Sequence, residues 1–177
     1  MKENVATLNS RAIELASQGC FSEAIACFVR ALKIEKANSL LWYNLGITYR
    51  DLGDFDAAKN SFLVAYEINT DDEDLLETLA LTCYARNEIE EAFTYCIEGL
   101  ELNPHNAHVW NTIGVLYFSQ SDYVSACEAF EKAVTLFPYY YDALYNLSDT
   151  YDEMGNLAGA IDCRERLLTL KNMGYYA

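Results

Sequence analysis

The 177-residue chain is 52% hydrophobic, which is enough to fold around a buried core and excludes an intrinsically disordered protein. Its 8 Gly and 2 Pro are too few for the many turns of an all-β fold, and they suit helices joined by short turns. The net charge of −15 disfavours binding to nucleic acids or anionic membranes, and it favours either basic partners or simple solubility.

Cysteine usage and the lack of long apolar segments bear on where the protein works. The six Cys form no C-x-x-C pair and match no zinc-ligand spacing. Residues 1–6 lack the apolar core of a signal peptide, and no apolar run approaches the roughly 20 residues that cross a bilayer. We predict a cytoplasmic protein without membrane insertion. An exported protein whose leader precedes this numbering is the alternative.

An internal repeat of 34 residues runs along the chain. One column of the repeat is alanine throughout: Ala24, Ala58, Ala92, Ala126 and Ala160. A second column contains only small residues: Ala12, Gly46, Ala80, Gly114 and Ser148. Several aligned columns at one period indicate a repeat architecture.

In chain order the predicted repeats span residues 5–38, 39–72, 73–106, 107–140 and 141–174, followed by a short tail at 175–177. Each repeat contains two stretches with apolar residues at helical spacing. In repeat two these stretches run over residues 40–52 and 55–68, separated by Gly53 as a helix stop and Asp54 as an N-cap. The small Gly46 and Ala58 let the two helices approach closely.

The columns resemble the tetratricopeptide repeat. Repeat two carries its pattern as Trp42, Leu45, Gly46, Tyr49, Ala58, Phe62 and Ala65. Repeat four carries it as Trp110, Ile113, Gly114, Tyr117, Ala126, Phe130, Ala133 and Pro138. Repeat three has Cys83 and Cys96 in place of two aromatics, and the outer repeats match more weakly. The resemblance implies an all-α, right-handed α-solenoid of five helix-turn-helix hairpins, forming one domain over residues 1–177.

The resemblance also implies a concave groove lined by the first helix of each repeat. Ile47, Leu81 and Val115 would form an aliphatic stripe on its floor, although these side chains could instead pack against the next hairpin. Asn44, Asn111 and Asn146 could hydrogen-bond a peptide backbone, or they could be solvated amides. The full set of predicted groove residues is Tyr43, Asn44, Ile47, Leu81, Tyr84, Asn111, Val115, Phe118, Tyr145, Asn146 and Asp149.

Charge narrows the partner that this groove would accept. Relatives that bind the acidic tails of heat-shock chaperones use Lys and Arg where this chain has Asp74 and Thr78. The two carboxylates at that end of the groove, Asp74 and Glu77, would repel an acidic tail, so we expect a protein or peptide partner of basic or apolar character. Asp149, Asp152 and Glu153 form a carboxylate face that would also attract a basic partner. The alternatives for this face are exposure to solvent alone or a metal site.

Tyrosines near the C-terminus predict a second surface. They are Tyr139, Tyr140, Tyr141, Tyr175 and Tyr176. Tyr is enriched in binding hot spots, because it buries a large area at a low cost in conformational entropy. The last two could instead cover the end of the repeat array. Because repeat five has Arg164 where Phe is expected, that end could be covered by the tail, by a second copy as a homodimer, or by a partner.

No catalytic motif is present, and we predict a protein that is not an enzyme and needs no cofactor or metal. The pair His105 and His108 has no further ligand nearby in the sequence and is a weak metal signal. The predicted function is a protein-interaction scaffold or adaptor. The alternatives are a module that self-associates through its C-terminal end and a chaperone-like carrier for a secreted or assembling partner.

Overall fold

The structure is a computed structural model that describes residues 4–174, and within that range it contains helices and no strand. The first helix of each repeat is α1 (Val5–Ser17), α3 (Ser39–Leu52), α5 (Glu73–Ala85), α7 (Ala107–Ser119) or α9 (Tyr141–Glu153). The second is α2 (Phe21–Ile34), α4 (Phe55–Ile68), α6 (Ile89–Leu102), α8 (Tyr123–Leu136) or α10 (Leu157–Asn172). Both series begin at intervals of 34 residues, and the all-α prediction is confirmed.

The chain divides into two compact units, Met1–Glu88 and Ile89–Ala177. In the first unit, α1 pairs with α2, α3 pairs with α4, and α5 packs on α4. In the second unit, α6 packs on α7, α7 pairs with α8, and α9 pairs with α10. Each unit therefore buries the apolar faces of its hairpins against one another, as stacked repeats must.

A glycine and a phenylalanine ring set the closeness of two of these hairpins. A Cβ atom built on Gly46 of α3 would lie 2.5 Å from Cε1 of Phe62 in α4, and one built on Gly114 of α7 would lie 2.5 Å from Cε1 of Phe130 in α8. Such distances are far below van der Waals contact, so only glycine lets the ring approach the backbone of the facing helix this closely. Both phenylalanines are almost completely buried.

An ion-pair cluster joins α4 to the end of α5. Lys59 of α4 lies 2.7 Å from one carboxylate oxygen of Glu88, and Arg86 lies 2.9 Å from the other. Hydrogen bonds from these two cations, Arg86 foremost, lower the pKa of Glu88 from 4.5 to about 2. The carboxylate therefore stays ionised in the folded state even in moderately acidic solution.

The turn inside each repeat has one residue in the left-handed conformation. These residues recur every 34 positions and have φ between 61° and 88°: Gly19, Gly53, Asn87, Ser121 and Gly155. The turns at Gly53 and Ser121 share a hydrogen bond. The backbone amide of Asp54 donates to the carbonyl of Tyr49, and the backbone amide of Asp122 donates to the carbonyl of Tyr117. The conformation is thus set by the repeat, and Ser121 adopts it at a cost that glycine does not have.

We predict that Ser121→Gly stabilises the protein by about 0.5–1 kcal/mol. Relief of left-handed strain is worth roughly 1–2 kcal/mol, and the greater freedom of glycine in the unfolded chain offsets part of it. Urea denaturation followed by circular dichroism measures the change.

Gly53→Ala is the opposite substitution at the equivalent position of repeat two and serves as the control. No atom lies within 4 Å of the added Cβ, so only the strain at φ 88° acts, and the free energy of unfolding should fall by about 1 kcal/mol. An unchanged or lower free energy of unfolding for Ser121→Gly would show that the left-handed conformation of Ser121 does not destabilise the protein.

Candidate functional site

The predicted groove residues of the first unit lie on the first helices, and most are half-buried. Ile47 and Tyr84 are partly covered, whereas Leu81 is 41% exposed. The Tyr43 ring lies 5.7 Å from the Phe62 ring between centroids, and its hydroxyl is 3.5 Å from the Thr78 hydroxyl. This surface is therefore anchored in the core beneath it and keeps its aliphatic edge in solvent.

An amide pair links the first helices of repeats one and two. The side-chain amide of Asn44 donates to the Asn9 side-chain carbonyl over 3.1 Å. The second unit repeats this arrangement between α7 and α9, where Asn146 donates to Asn111 over 3.0 Å. In both pairs the partners are 35 residues apart, one more than the repeat length. Each pair retains further donors and acceptors for a bound peptide.

A small hollow of about 190 Å³ lies between the beginnings of α3 and α5. Leu40, Tyr43 and Leu75 provide its apolar wall, and Asp72 and Asp74 provide carboxylates. Asp72 caps α5 by accepting a hydrogen bond from the Leu75 amide, whereas Asp74 is exposed in the first turn of α5. A hollow with apolar walls and a carboxylate suits the stem and charged head of a Lys or Arg side chain.

In the second unit, the predicted groove residues divide between core and surface. Val115 and Phe118 are half-buried against the core cluster around Phe130 and Leu144, and Phe118 meets Tyr123 edge-on at 5.3 Å. Tyr145 is 53% exposed. Val115 is thus partly used in packing within the protein, which was the alternative to its lining a groove, whereas Tyr145 is exposed and accessible to a partner.

One carboxylate of α9 is paired, and another has a shifted pKa. Burial, and after it the charge of Asp152, raises the pKa of Asp149. Asp152 itself accepts a hydrogen bond and ion pair from Arg164 of α10. From the sequence, Arg164 was evident only as the loss of a core aromatic. A signal was available, since an Arg facing outward 12 residues after an Asp can reach it across one hairpin.

The Tyr-rich turn before α9 is only partly available to a partner. Tyr139 is 55% exposed, whereas Tyr140 and Tyr141 are half-buried. The Tyr140 hydroxyl lies 3.0 Å from Nδ1 of His108, and their rings lie 4.6 Å apart. His108 is thus part of an aromatic contact at the start of α7. Tyr175 and Tyr176 lie outside the described residues.

No helix among residues 4–174 has both the length and the apolar character needed to cross a bilayer.

Comparison with known proteins identifies the repeat. Models of the tetratricopeptide repeat match residues 27–60, 78–141 and 117–170. A BBSome complex member BBS4 homolog of Drosophila melanogaster is 26% identical over 153 residues, which is 85% of this chain and 31% of that protein. The chain spans between 14% and 31% of the length of the curated relatives that it matches first.

Solved structures show the same fold. A crystal structure of MamA has a TM-score of 0.78 at 22% identity, covering 91% of this chain and 94% of that one. YrrB, described as a TPR protein with an unusual peptide-binding site, has a TM-score of 0.70 at 21% identity, covering 97% of this chain and 88% of that one. The predicted α-solenoid class and the five tandem 34-residue repeats are confirmed. With three family models along its length and helices at the repeat's own period, the chain belongs to the tetratricopeptide repeat family.

Proposed function

We propose that this protein is a non-catalytic interaction scaffold that binds a basic, apolar segment of a partner on the exposed faces of its first helices. The observation that carries the proposal is the hollow between α3 and α5, where the exposed Asp74 carboxylate stands beside Leu40 and Tyr43. A Lys or Arg side chain of the partner would lay its methylenes on the apolar wall and its charge on Asp74.

The charge of the molecule supports a basic partner. The chain carries a net charge of −15, which attracts cationic segments over several ångströms and speeds their association. On the first helices, Arg50 is paired with the neighbouring Asp51 at 3.1 Å, so its charge is already balanced. On α9, Asp142 is exposed, and burial, followed by the negative charge of Asp152, raises the pKa of Asp149. A cation of the partner would stabilise the ionised form of that carboxylate.

The family and the fold support binding over catalysis. Repeats of this kind form platforms, and function lies in the surface that each one carries. YrrB, which shares the fold, is described by its peptide-binding site. For the present chain, the groove residues, the cytoplasmic location and the folding of residues 1–177 as one domain stay predictions.

Asp74→Asn should weaken binding of a basic peptide about fivefold. Loss of one exposed ion pair in this setting costs roughly 1 kcal/mol. The probe is a fluorescein-labelled peptide of sequence Gly-Leu-Arg-Leu-Phe-Arg-Gly, with fluorescence anisotropy as the readout at low and at physiological salt.

Asp71→Asn is the matched control, because it removes the same charge from the same acidic run without lining the hollow. Its affinity for the peptide should stay within about twofold of the original, since Asp71 is exposed and screened. An equal loss of peptide affinity in both variants would mean that the overall charge of the protein, and not the hollow, attracts the peptide. No binding of the Arg peptide at all would refute the basic-partner proposal.

A second candidate function is self-association through α10. Leu157, Ile161 and Leu168 are 68%, 54% and 60% exposed, and with Arg164 they form one stripe along this helix. The equivalent stripe of α8 consists of Tyr123, Cys127, Phe130 and Val134, and the last three are buried in the core of the second unit. The α10 stripe therefore has the position of an inter-repeat face, and a second copy of this chain would cover it.

Replacing Ile161 and Leu168 by Glu should abolish any dimer, because carboxylates would be placed in the apolar contact. Sedimentation equilibrium from about 5 to 500 µM measures the molecular mass, and circular dichroism checks folding. A monomer at every concentration before substitution would eliminate this candidate. An unchanged dimer after substitution would place the contact elsewhere.

A further inference from the structure

An apolar groove of the first unit lies away from the amide pair and the hollow described above. It has a volume of about 560 Å³ and runs between α2 and α4, with the side chains of α3 as its floor. We call it the α2–α4 groove. Its floor is Trp42 and Tyr49, its inner edge is Leu32, and its rim carries Lys33, Lys36 and Asn60. The volume is in the range of sites that take a bulky side chain or a short segment.

The floor of the groove is held in place. The indole nitrogen of Trp42 donates to the backbone carbonyl of Lys36 over 2.9 Å, which fixes the ring against the turn that follows α2. Trp42 and Tyr49 also pack on the core cluster that contains Leu32 and Leu45. A preformed aromatic floor binds a partner at a low cost in entropy, because its side chains lose little freedom.

The rim is positive in a strongly negative protein. Lys33 and Lys36 are exposed, and within residues 4–174 neither ammonium group lies within ion-pair distance of a carboxylate. The side-chain amide of Asn60 likewise makes no hydrogen bond with the part of the chain that the structure describes. The groove thus offers two cations and an amide whose donors and acceptor are available for a peptide backbone.

The other repeats do not carry this combination. At the positions that correspond to Lys33, the chain has Glu67, Glu101 and Thr135; for Lys36 it has Thr70, Pro104 and Pro138. For Asn60 it has Thr94, Glu128 and Asp162. Repeat four keeps the aromatic floor as Trp110 and Tyr117, but Glu101 and Glu128 replace the polar rim. The positive rim is therefore a property of this one groove and not of the repeat pattern.

We propose that the α2–α4 groove binds an acidic, apolar linear segment of a partner protein. A Phe or Leu side chain of that segment packs on Trp42 and Tyr49, flanking carboxylates pair with Lys33 and Lys36, and Asn60 hydrogen-bonds its backbone. The proposal is independent of the function proposed above, since it concerns another surface and the opposite charge. Together the two surfaces would let one chain hold two segments of opposite charge.

The test uses the full chain labelled with ¹⁵N and two capped peptides, Gly-Glu-Leu-Phe-Asp-Gly and its counterpart Gly-Lys-Leu-Phe-Lys-Gly. The acidic peptide should shift the signals of the Trp42 indole and the Asn60 side-chain amide, and the basic peptide should leave them in place. A Trp110→Phe sample assigns the two indole signals. Lys33→Glu with Lys36→Glu should weaken binding of the acidic peptide at least tenfold.

The matched control is Lys132→Glu with Lys171→Glu. Like the double substitution in the groove, it reverses two charges and lowers the net charge from −15 to −19, here at two exposed sites of the second unit. The acidic peptide should bind this control within about threefold of the unchanged chain. The proposal is overturned if neither signal shifts at millimolar peptide, if the basic peptide binds as well, or if the control loses as much affinity. If the signals of Trp42 and Asn60 shift with protein concentration in the absence of peptide, a second copy of this chain occupies the groove instead.

Discussion

The contact between a small residue of the first helix and a phenylalanine ring of the second sets the spacing of the hairpins on which the rest of the structure depends. At Gly46 and Gly114 the ring of Phe62 or Phe130 occupies the space that a side chain would need. This closeness aligns the two helices so that their remaining apolar side chains form one face. A single hairpin cannot bury that face alone, and the next repeat covers it within each unit.

Burial of the inner faces determines which side chains are left for binding. On the first helices, Tyr43 and Phe118 are partly used by the core, whereas Leu40, Leu81 and Tyr145 extend into solvent. Asn44 and Asn146 link neighbouring first helices through amide pairs, so they help to fix the surface that a partner would meet. The same side chains therefore stabilise the repeat array and present polar groups beside an apolar edge.

Sequence periodicity was sufficient for the helices, because spacing of apolar and small residues encodes both their limits and their pairing. Gly53 and Asp54 marked a turn that the structure has. The left-handed residues Asn87 and Ser121 were missed, since neither is the glycine that usually reveals such a turn. The amide pairs and the ion pair of Arg164 with Asp152 were also missed, because contacts between helices depend on side-chain reach and not on spacing within one helix.

The central claim, that a partner binds the exposed first-helix faces, is tested most directly by a pull-down from native lysate with Leu40, Leu81 and Tyr145 each replaced by Lys. These side chains are 58%, 41% and 53% exposed, so the fold should tolerate the change. The control replaces Ile68, Leu102 and Val124 of the second helices by Lys, which adds the same charge. The account predicts that proteins captured by the unchanged chain and by the control are lost with the first-helix variant, and that high salt weakens their capture. Capture of the same proteins by both variants would contradict it.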